Sequence, residues 1–381
     1  MTTSTEIKAG ISASLTGQFA TQGRQALAGL TMWSEVVNAQ GGLAVDGQSH
    51  RINIVHYDDA SLAEGAQRNT ERLITQDSVD LLFGPYSAGL TSAATEISEG
   101  HGKLLWNHGG AGDAIYARDH RMVVGILTPA DEYLVGAPEL ARQVNPEASK
   151  LAVVRVDTGA FPRIVVRGAE TVAHQMGFTT DFELRYRSSQ TQFREIARHL
   201  AELKPDLVIG VGRIRHDVIK AHALASLANR SNIGLAVVVA SPIAVFGDQL
   251  GPLADGFIGP SQWEPSLVVS DPDVGPSSAV ASRILGAAAE ASNLAVDYPM
   301  AQAFAAGFIA QRCVTDTGSL DDAELRAAAG ALDVTTFYGR FRIDETGRQV
   351  GRQVSLVQRQ DGEKVVVWPP EQAQAEVRYP F

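Results

Sequence analysis

Three glycine- and hydroxyl-rich segments carry the groups best suited to holding a small molecule. They read Ser14-Leu-Thr-Gly-Gln-Phe-Ala-Thr-Gln22-Gly23, Gly84-Pro-Tyr86-Ser87-Ala88-Gly89 and Trp106-Asn-His108-Gly109-Gly110-Ala-Gly112. Glycine lets backbone approach a guest closely. Free N–H groups at a helix start, with a hydroxyl beside them, suit a carboxylate or similar acceptor. The bland alternative is that Ser87 only caps the helix that follows and the glycines only turn the chain. Three later segments, Arg155-Val-Asp157-Thr-Gly-Ala-Phe161-Pro, Gly210-Val-Gly-Arg213 and Ala240-Ser241-Pro242, add two arginines, a carboxylate and a ring. A buried Arg155 or Arg213 needs a partner. Asp157 could supply it, either arginine could hold an anion bidentately, or both could face solvent. Trp106 and Trp263 could line a cleft or pack in a core. Asp58-Asp59 could act as a carboxylate pair, or be a solvated turn or helix cap.

Motifs for catalysis are missing. Gly-x-Ser-x-Gly fails around Ser87 because Pro85 stands where its first glycine belongs. Gly210-Val-Gly212-Arg-Ile-Arg215 lacks the third glycine of a dinucleotide fingerprint. There is no Walker loop and no His-Glu-x-x-His, and His50/His56 and His216/His222 have poor ligand spacing. No cofactor or metal is therefore expected.

The elements that must position these residues alternate. Apolar runs at Ile7–Ser12, Arg51–Tyr57, Val79–Phe83 and Lys103–Trp106 read as strands. Amphipathic stretches lie between them, the first helix from about Arg24 after a polar loop at Gly17–Gly23. Beyond Thr128-Pro129 the rhythm restarts, with a linking helix over Ala130–Val144 and strands at Leu151–Arg155, Thr179–Tyr186, Asp206–Gly210 and Leu235–Val239. Helices follow over Ser278–Ala291, Pro299–Thr315 and Asp321–Ala331, then a strand-like tail. Repeated βα units with apolar strands predict α/β architecture with parallel sheets covered on both faces. Such sheets bind ligands at the carboxyl ends of their strands, which is where the six segments fall. Two similar lobes and a late helical block predict several crossings between lobes and a hinged cleft.

The chain has 381 residues and a net charge of −11, a length that suggests two domains. The acidic balance and the lack of a basic run exclude a nucleic-acid groove. One cysteine, Cys313, excludes an internal disulfide, and its apolar surroundings predict a buried core residue. No apolar run reaches 18 residues, so no membrane insertion is expected. Met1-Thr-Thr-Ser-Thr-Glu6 shows no export signal. Two expectations follow: a periplasmic or cell-surface location if such a signal was removed, or a cytoplasmic one if Met1 is the native start.

Several segments together resemble one family. They are Ile7-Lys-Ala-Gly-Ile-Ser-Ala-Ser-Leu-Thr-Gly17, Asn38-Ala-Gln-Gly-Gly42, Tyr57-Asp-Asp-Ala60, Gly84-Pro-Tyr-Ser87, Tyr338-Gly-Arg-Phe-Arg-Ile-Asp344, Gly347-Arg-Gln-Val-Gly351 and Val365-Val-Val-Trp-Pro369. In this order they are similar to the Leu/Ile/Val-type (branched-chain amino acid or amide) solute-binding proteins of ABC transporters. The resemblance implies a type I periplasmic-binding fold: two doubly wound lobes joined by a three-crossing hinge. Lobe one would be residues 5–128 plus 262–335, and lobe two 129–261 plus 336–381. It also implies that Ser87 and Ala88 hold a ligand carboxylate. Ser241 falls where an acidic residue pairs with the ligand ammonium, and Phe161 falls near an aromatic lid. Asn107-His-Gly-Gly-Ala111 departs from the family's hydroxyl-bearing fourth loop, which puts an ordinary α-amino acid in doubt.

The expected ligand set is Gln22, Tyr86, Ser87, Ala88, His108, Gly109, Gly110, Asp157, Phe161, Arg213, Ser241 and Trp263. The leading expectation is a non-catalytic receptor that captures an amino acid, amide or small carboxylic or aromatic acid and delivers it to an ABC permease. A cytosolic ligand sensor of the same fold, regulating a partner protein, is the alternative. A hydrolase using Ser87 is a third class, with no base placed by any motif.

Overall fold

The computed structural model describes residues 6–117 and 119–381; the reading of Met1–Thr5 lies outside them. Strand β1 (Glu6–Ala13) leads into α1 (Ala20–Ala39), followed by β2 (Leu43–Val45), β3 (Gln48–Asp58) and α2 (Ala63–Thr75). Then come β4 (Leu81–Phe83), α3 (Ala88–Gly100), β5 (Leu105–Asn107) and β6 (Val123–Gly125). These strands form one sheet in the order β2-β3-β1-β4-β5-β6. It is parallel except for β2, which returns onto β3 as a hairpin. The hairpin loop is Asp46-Gly47, both at positive φ (49° and 74°), the geometry a two-residue turn of this hand demands.

After Pro129 the chain enters a second unit. It contains α4 (Gly136–Val144), β7 (Lys150–Val156), α5 (Ala160–Gln175), β8 (Thr179–Tyr186) and α6 (Arg194–Leu203). Next are β9 (Leu207–Val211), α7 (Ile214–Ala225), β10 (Leu235–Val238), α8 (Ala244–Leu250) and β11 (Ile258–Ser261). The chain then returns to the first unit for α9 (Ser278–Ser292), α10 (Tyr298–Thr317), α11 (Asp322–Ala331), β12 (Val334–Thr336) and β13 (Gly339–Phe341). It closes the second sheet with β14 (Ser355–Gln360) and β15 (Glu363–Trp368). That sheet runs β15-β14-β11-β10-β9-β7-β8, with β14 and β15 antiparallel.

Unit 1 thus comprises the chain through Pro129 plus Trp263–Arg352; unit 2 is Ala130–Gln262 plus Gln353–Phe381. The chain passes between them three times. Residues 336–352, expected in lobe two, cluster with unit 1 because Phe337, Tyr338, Phe341 and Ile343 are buried in its core. That core includes Trp33, Phe83, Trp106 and Phe304. One close seam is α1 against α10: a Cβ on Gly29 would stand 2.1 Å from the carbonyl oxygen of Met300. Unit 2 has its own core around Phe193, Phe246, Phe257 and Phe381.

Two expected boundaries shift. Helix α1 begins at Ala20, not Arg24, so Gln22 lies in its first turn. Gly23 reads as a breaker but sits in the helix because its Cα packs against the Ser14 backbone, where a Cβ would meet the carbonyl oxygen at 2.1 Å. The linking helix begins at Gly136, after a single 3₁₀ turn over Ala130–Glu132. By contrast α9–α11 lie within about two residues of expectation. Asp297 accepts from Tyr298 N–H (2.8 Å) and Asp321 accepts from Ala323 and Glu324 N–H (3.0 Å each), so each start is written in a capping side chain.

Candidate functional site

In unit 1 the loops after β1, β4 and β5 emerge at the carboxyl ends of parallel strands. The loop after β1 is tied down by Asp58 and Asp59. Asp59 is buried and accepts from Ser12 Oγ (3.2 Å), Ser14 Oγ (2.6 Å) and Ser61 N–H (2.8 Å); burial raises its pKa. Asp58 accepts from Leu15 N–H (2.9 Å), Thr16 Oγ1 (2.7 Å) and Ala60 N–H (2.8 Å). Desolvation pushes the Asp58 carboxyl up, but these bonds together hold it below its usual range. The pair therefore braces the loop, and Gln22, half-buried, stands on the helix that leaves it.

The loop after β4 is the chemically open one. Ser87 occupies the N-cap position of α3 in extended conformation (φ −155°), yet its side chain makes no capping bond. The helical ladder starts with Thr91 N–H to Ser87 C=O (2.8 Å), so the amides of Ala88, Gly89 and Leu90 precede it. Ser87 and Ala88 are half-exposed, and Gly89 is exposed with open space where a Cβ would stand. A hydroxyl and the first amides of a helix thus share one edge, an arrangement that accepts an anion's oxygens. Tyr86 beside it lays its ring edge-on to Phe19 (5.9 Å between centroids) and shares a 2.5 Å hydrogen bond with the Tyr298 hydroxyl. Burial pushes the Tyr86 phenol up to about 12. Phe19 and Tyr298 lie outside the expected ligand set; Tyr298 is 212 residues away from Tyr86, and no local pattern signals the meeting.

The loop after β5 is organised by Asn107. Its Oδ1 accepts from Gly109 N–H (3.2 Å) and Gly110 N–H (2.8 Å), and its Nδ2 donates to Gly110 C=O (2.7 Å) and Tyr116 Oη (2.9 Å). A Cβ on Gly109 would stand 2.4 Å from the Pro85 carbonyl oxygen, and one on Gly110 would stand 2.5 Å from Thr91 Cβ. These two glycines are required by the loop's own packing. His108 is fully buried, with no hydrogen-bond partner on either ring nitrogen, and burial lowers its pKa to about 4. It is a neutral ring at physiological pH. Trp263 is buried and packs edge-on to Phe337 (6.1 Å).

In unit 2, Asp157 does not pair with Arg155: the arginine reaches Glu183 on the adjacent strand (3.5 Å), and Asp157 is exposed just past β7. The two strands lie side by side, and Arg155 is opposite Arg185, two residues from Glu183, so strand pairing decided the partner. Phe161 is half-exposed and edge-on to Tyr133 (5.5 Å). Arg213 occupies the N-cap position of α7 and is exposed. Ser241 is fully buried, its Oγ on the Phe257 carbonyl (3.3 Å) and its own carbonyl accepting from Arg359 Nε (2.7 Å). A pair that sequence reasoning missed lies one helical turn inside α7. Lys220 Nζ donates to Asp217 Oδ1 (2.9 Å) with side-chain exposures of 3% and 1%, and Asp217 Oδ2 accepts from Ala240 N–H (3.3 Å). Its i,i+3 spacing was readable, but such spacing is commonplace on exposed helices and says nothing of burial.

Among the described residues, no three His, Cys, Asp or Glu side chains are grouped to hold a metal, and no helix is long and apolar enough to cross a membrane. The sequence model of the family described as "Periplasmic binding protein" matches residues 6–364. The chain is 23% identical to the Leu/Ile/Val-binding protein homolog 7 of Brucella abortus (strain 2308), over 99% of this chain and 95% of that protein. It shares its fold with the branched-chain amino acid transporter substrate-binding protein of Streptococcus pneumoniae solved with isoleucine. The TM-score is 0.74 at 17% identity, covering 98% of this chain and 100% of that one. It shares it equally with an ABC transporter solute-binding protein of R. palustris solved with benzoate. There the TM-score is 0.72 at 20% identity, covering 95% of each chain.

Proposed function

The chain belongs to the periplasmic binding protein family, and from that premise we propose that it is the solute receptor of an ABC transporter, binding a small organic ligand without altering it. The observation that carries this reading is the uncapped start of α3, where the Ser87 side chain makes no capping bond and the Ala88 and Gly89 amides precede the helical hydrogen-bond ladder. The ligand's acceptor group docks there, beside the Tyr86 ring, and the receptor closes on it. Closure follows from tighter binding to the closed form, and an ABC permease receives the ligand from that form outside the cytoplasm. The relatives' ligands, isoleucine and benzoate, support an amino acid, amide or small carboxylic or aromatic acid as the class.

Native mass spectrometry of the purified chain, followed by a thermal-shift panel of these compounds, tests the proposal. A cognate ligand at about 100 times its Kd adds about 2.7 kcal/mol to stability, and Ser87→Ala lowers its affinity. Recovery of the ligand chemically unchanged is expected; a turned-over product, or no ligand from the whole panel and none co-purified, refutes the reading.

A further inference from the structure

Residues 86–89 form the open edge of the candidate site, and among the described residues one side-chain hydrogen bond ties them to the fold. Tyr86 Oη meets Tyr298 Oη at 2.5 Å. The Ser87 side chain makes no capping bond, and Ala88 and Gly89 carry no polar side chain. The backbone has two ties, Thr91 Oγ1 to the Pro85 carbonyl (2.8 Å) and Thr91 N–H to the Ser87 carbonyl (2.8 Å). Neither constrains the Tyr86 side chain.

Two rings hold that side chain, and each begins a helix of unit 1. Phe19, edge-on to Tyr86 at 5.9 Å, is the N-cap residue of α1. Tyr298, tilted against it at 6.4 Å, is the first residue of α10. The Tyr298 backbone is fixed on either side. Asp297 Oδ1 accepts from its N–H (2.8 Å), Pro299 follows it, and the next residue, Met300, lies in the close seam with Gly29 of α1. Tyr298 therefore presents its hydroxyl from a packed helix, whereas Tyr86 lies in a loop.

We propose that Tyr298 is a positioning residue for ligand binding: it acts through the Tyr86 hydroxyl, holding the Tyr86 ring and with it the Ser87 edge in the binding geometry. Its effect on affinity rests on the receptor reading above. The pair is asymmetric. Removing the Tyr298 hydroxyl leaves the Tyr86 hydroxyl, which is cut off from water, without a partner, and that costs more than the bond contributed. The Tyr86 phenol escapes the cost by turning towards water, and its ring leaves Phe19 as it goes. A phenylalanine there has no hydroxyl to satisfy and keeps its place.

Isoleucine and benzoate, then further amino acids, amides and aromatic acids, are titrated calorimetrically into the full chain, and the tightest binder serves as the probe. Tyr298→Phe should weaken that probe about tenfold. Tyr86→Phe combined with Tyr298→Phe should recover most of the affinity, a rescue that a merely structural role does not produce. Unchanged affinity in Tyr298→Phe, or a double variant that binds no tighter than Tyr298→Phe, overturns the inference and leaves the receptor reading standing. Hydrogen exchange of the ligand-free chain is the second readout. Peptides covering residues 84–95 should exchange faster in Tyr298→Phe and return to the original rate in the double variant; no acceleration overturns the inference whatever binds. Binding of no compound, with none co-purified, overturns the receptor reading, and the exchange rates then decide by themselves whether Tyr298 positions this loop.

Discussion

Replacing Lys220 by methionine should cost the protein about 3–5 kcal/mol near neutral pH. The structure supplies the reasons. The Lys220 and Asp217 charges stand 2.9 Å apart with almost no solvent contact, an attraction of about 6 kcal/mol at an effective dielectric constant of about 20. Methionine fills most of the lysine volume, so little of the loss is packing. What remains is a carboxylate deprived of its counter-charge in a dry interior. Desolvation already raises the Asp217 pKa, and the lysine is the main force opposing that rise. Without it, the folded carboxyl binds a proton more tightly still than the unfolded one. A carboxyl whose folded pKa lies above its unfolded value makes stability fall as pH rises through that window. The deficit of Lys220→Met relative to the unmutated chain should therefore shrink from pH 7.5 towards pH 5. Asp217→Asn in the same background removes the orphaned charge and keeps an acceptor for Ala240 N–H, so the double variant should recover most of the loss. Urea unfolding followed by circular dichroism, arranged as a double-mutant cycle, measures each quantity. A deficit under about 1 kcal/mol, independent of pH and additive with Asp217→Asn, would refute the assignment of a buried, coupled pair.

Three further outcomes follow from single residues. Gly29→Ala, a change that usually stabilises a helix interior, should instead destabilise by about 1–3 kcal/mol, because the added carbon meets the Met300 carbonyl; thermal unfolding reads the sign directly. His108, neutral in its buried place with a pKa near 4, binds protons less readily than in the unfolded chain. Stability should drop as pH falls from about 6.5 towards 4, and His108→Leu should show less of that drop. Cys313, buried and with its thiol pushed up to about 12 by desolvation, should resist thiol reagents in the folded chain and react in full once urea unfolds it.

The layout of the fold was legible where one local signal sufficed. Buried strands such as β4 and β9 are short apolar runs, and α10 announces itself with Asp297 before Pro299 and Gly318 after its last turn. Short elements escaped. Strand β2 is three residues behind two glycines, and β6 is three residues with no flanking pattern; both exist because a neighbouring strand offers hydrogen bonds. For the candidate site, strand ends single out the loops after β1, β4 and β5, since an open parallel sheet leaves little choice. Partner choice within those loops was not readable. Arg155 took Glu183 through strand register, Asp217 took Lys220 through helix burial, and Tyr86 took Tyr298 through a chain return of 212 residues. Gly109 and Gly110 show the converse: the same residue type serves guest and fold alike, and the packing around each decides which.

The claim on which the account turns is that two units built on separate sheets close around an unaltered guest. Small-angle X-ray scattering of the full chain, alone and saturated with the ligand identified by mass spectrometry, measures it most directly. The account predicts a smaller radius of gyration on saturation, reversed by dialysis that returns the ligand intact. An unchanged radius at proven saturation would contradict it.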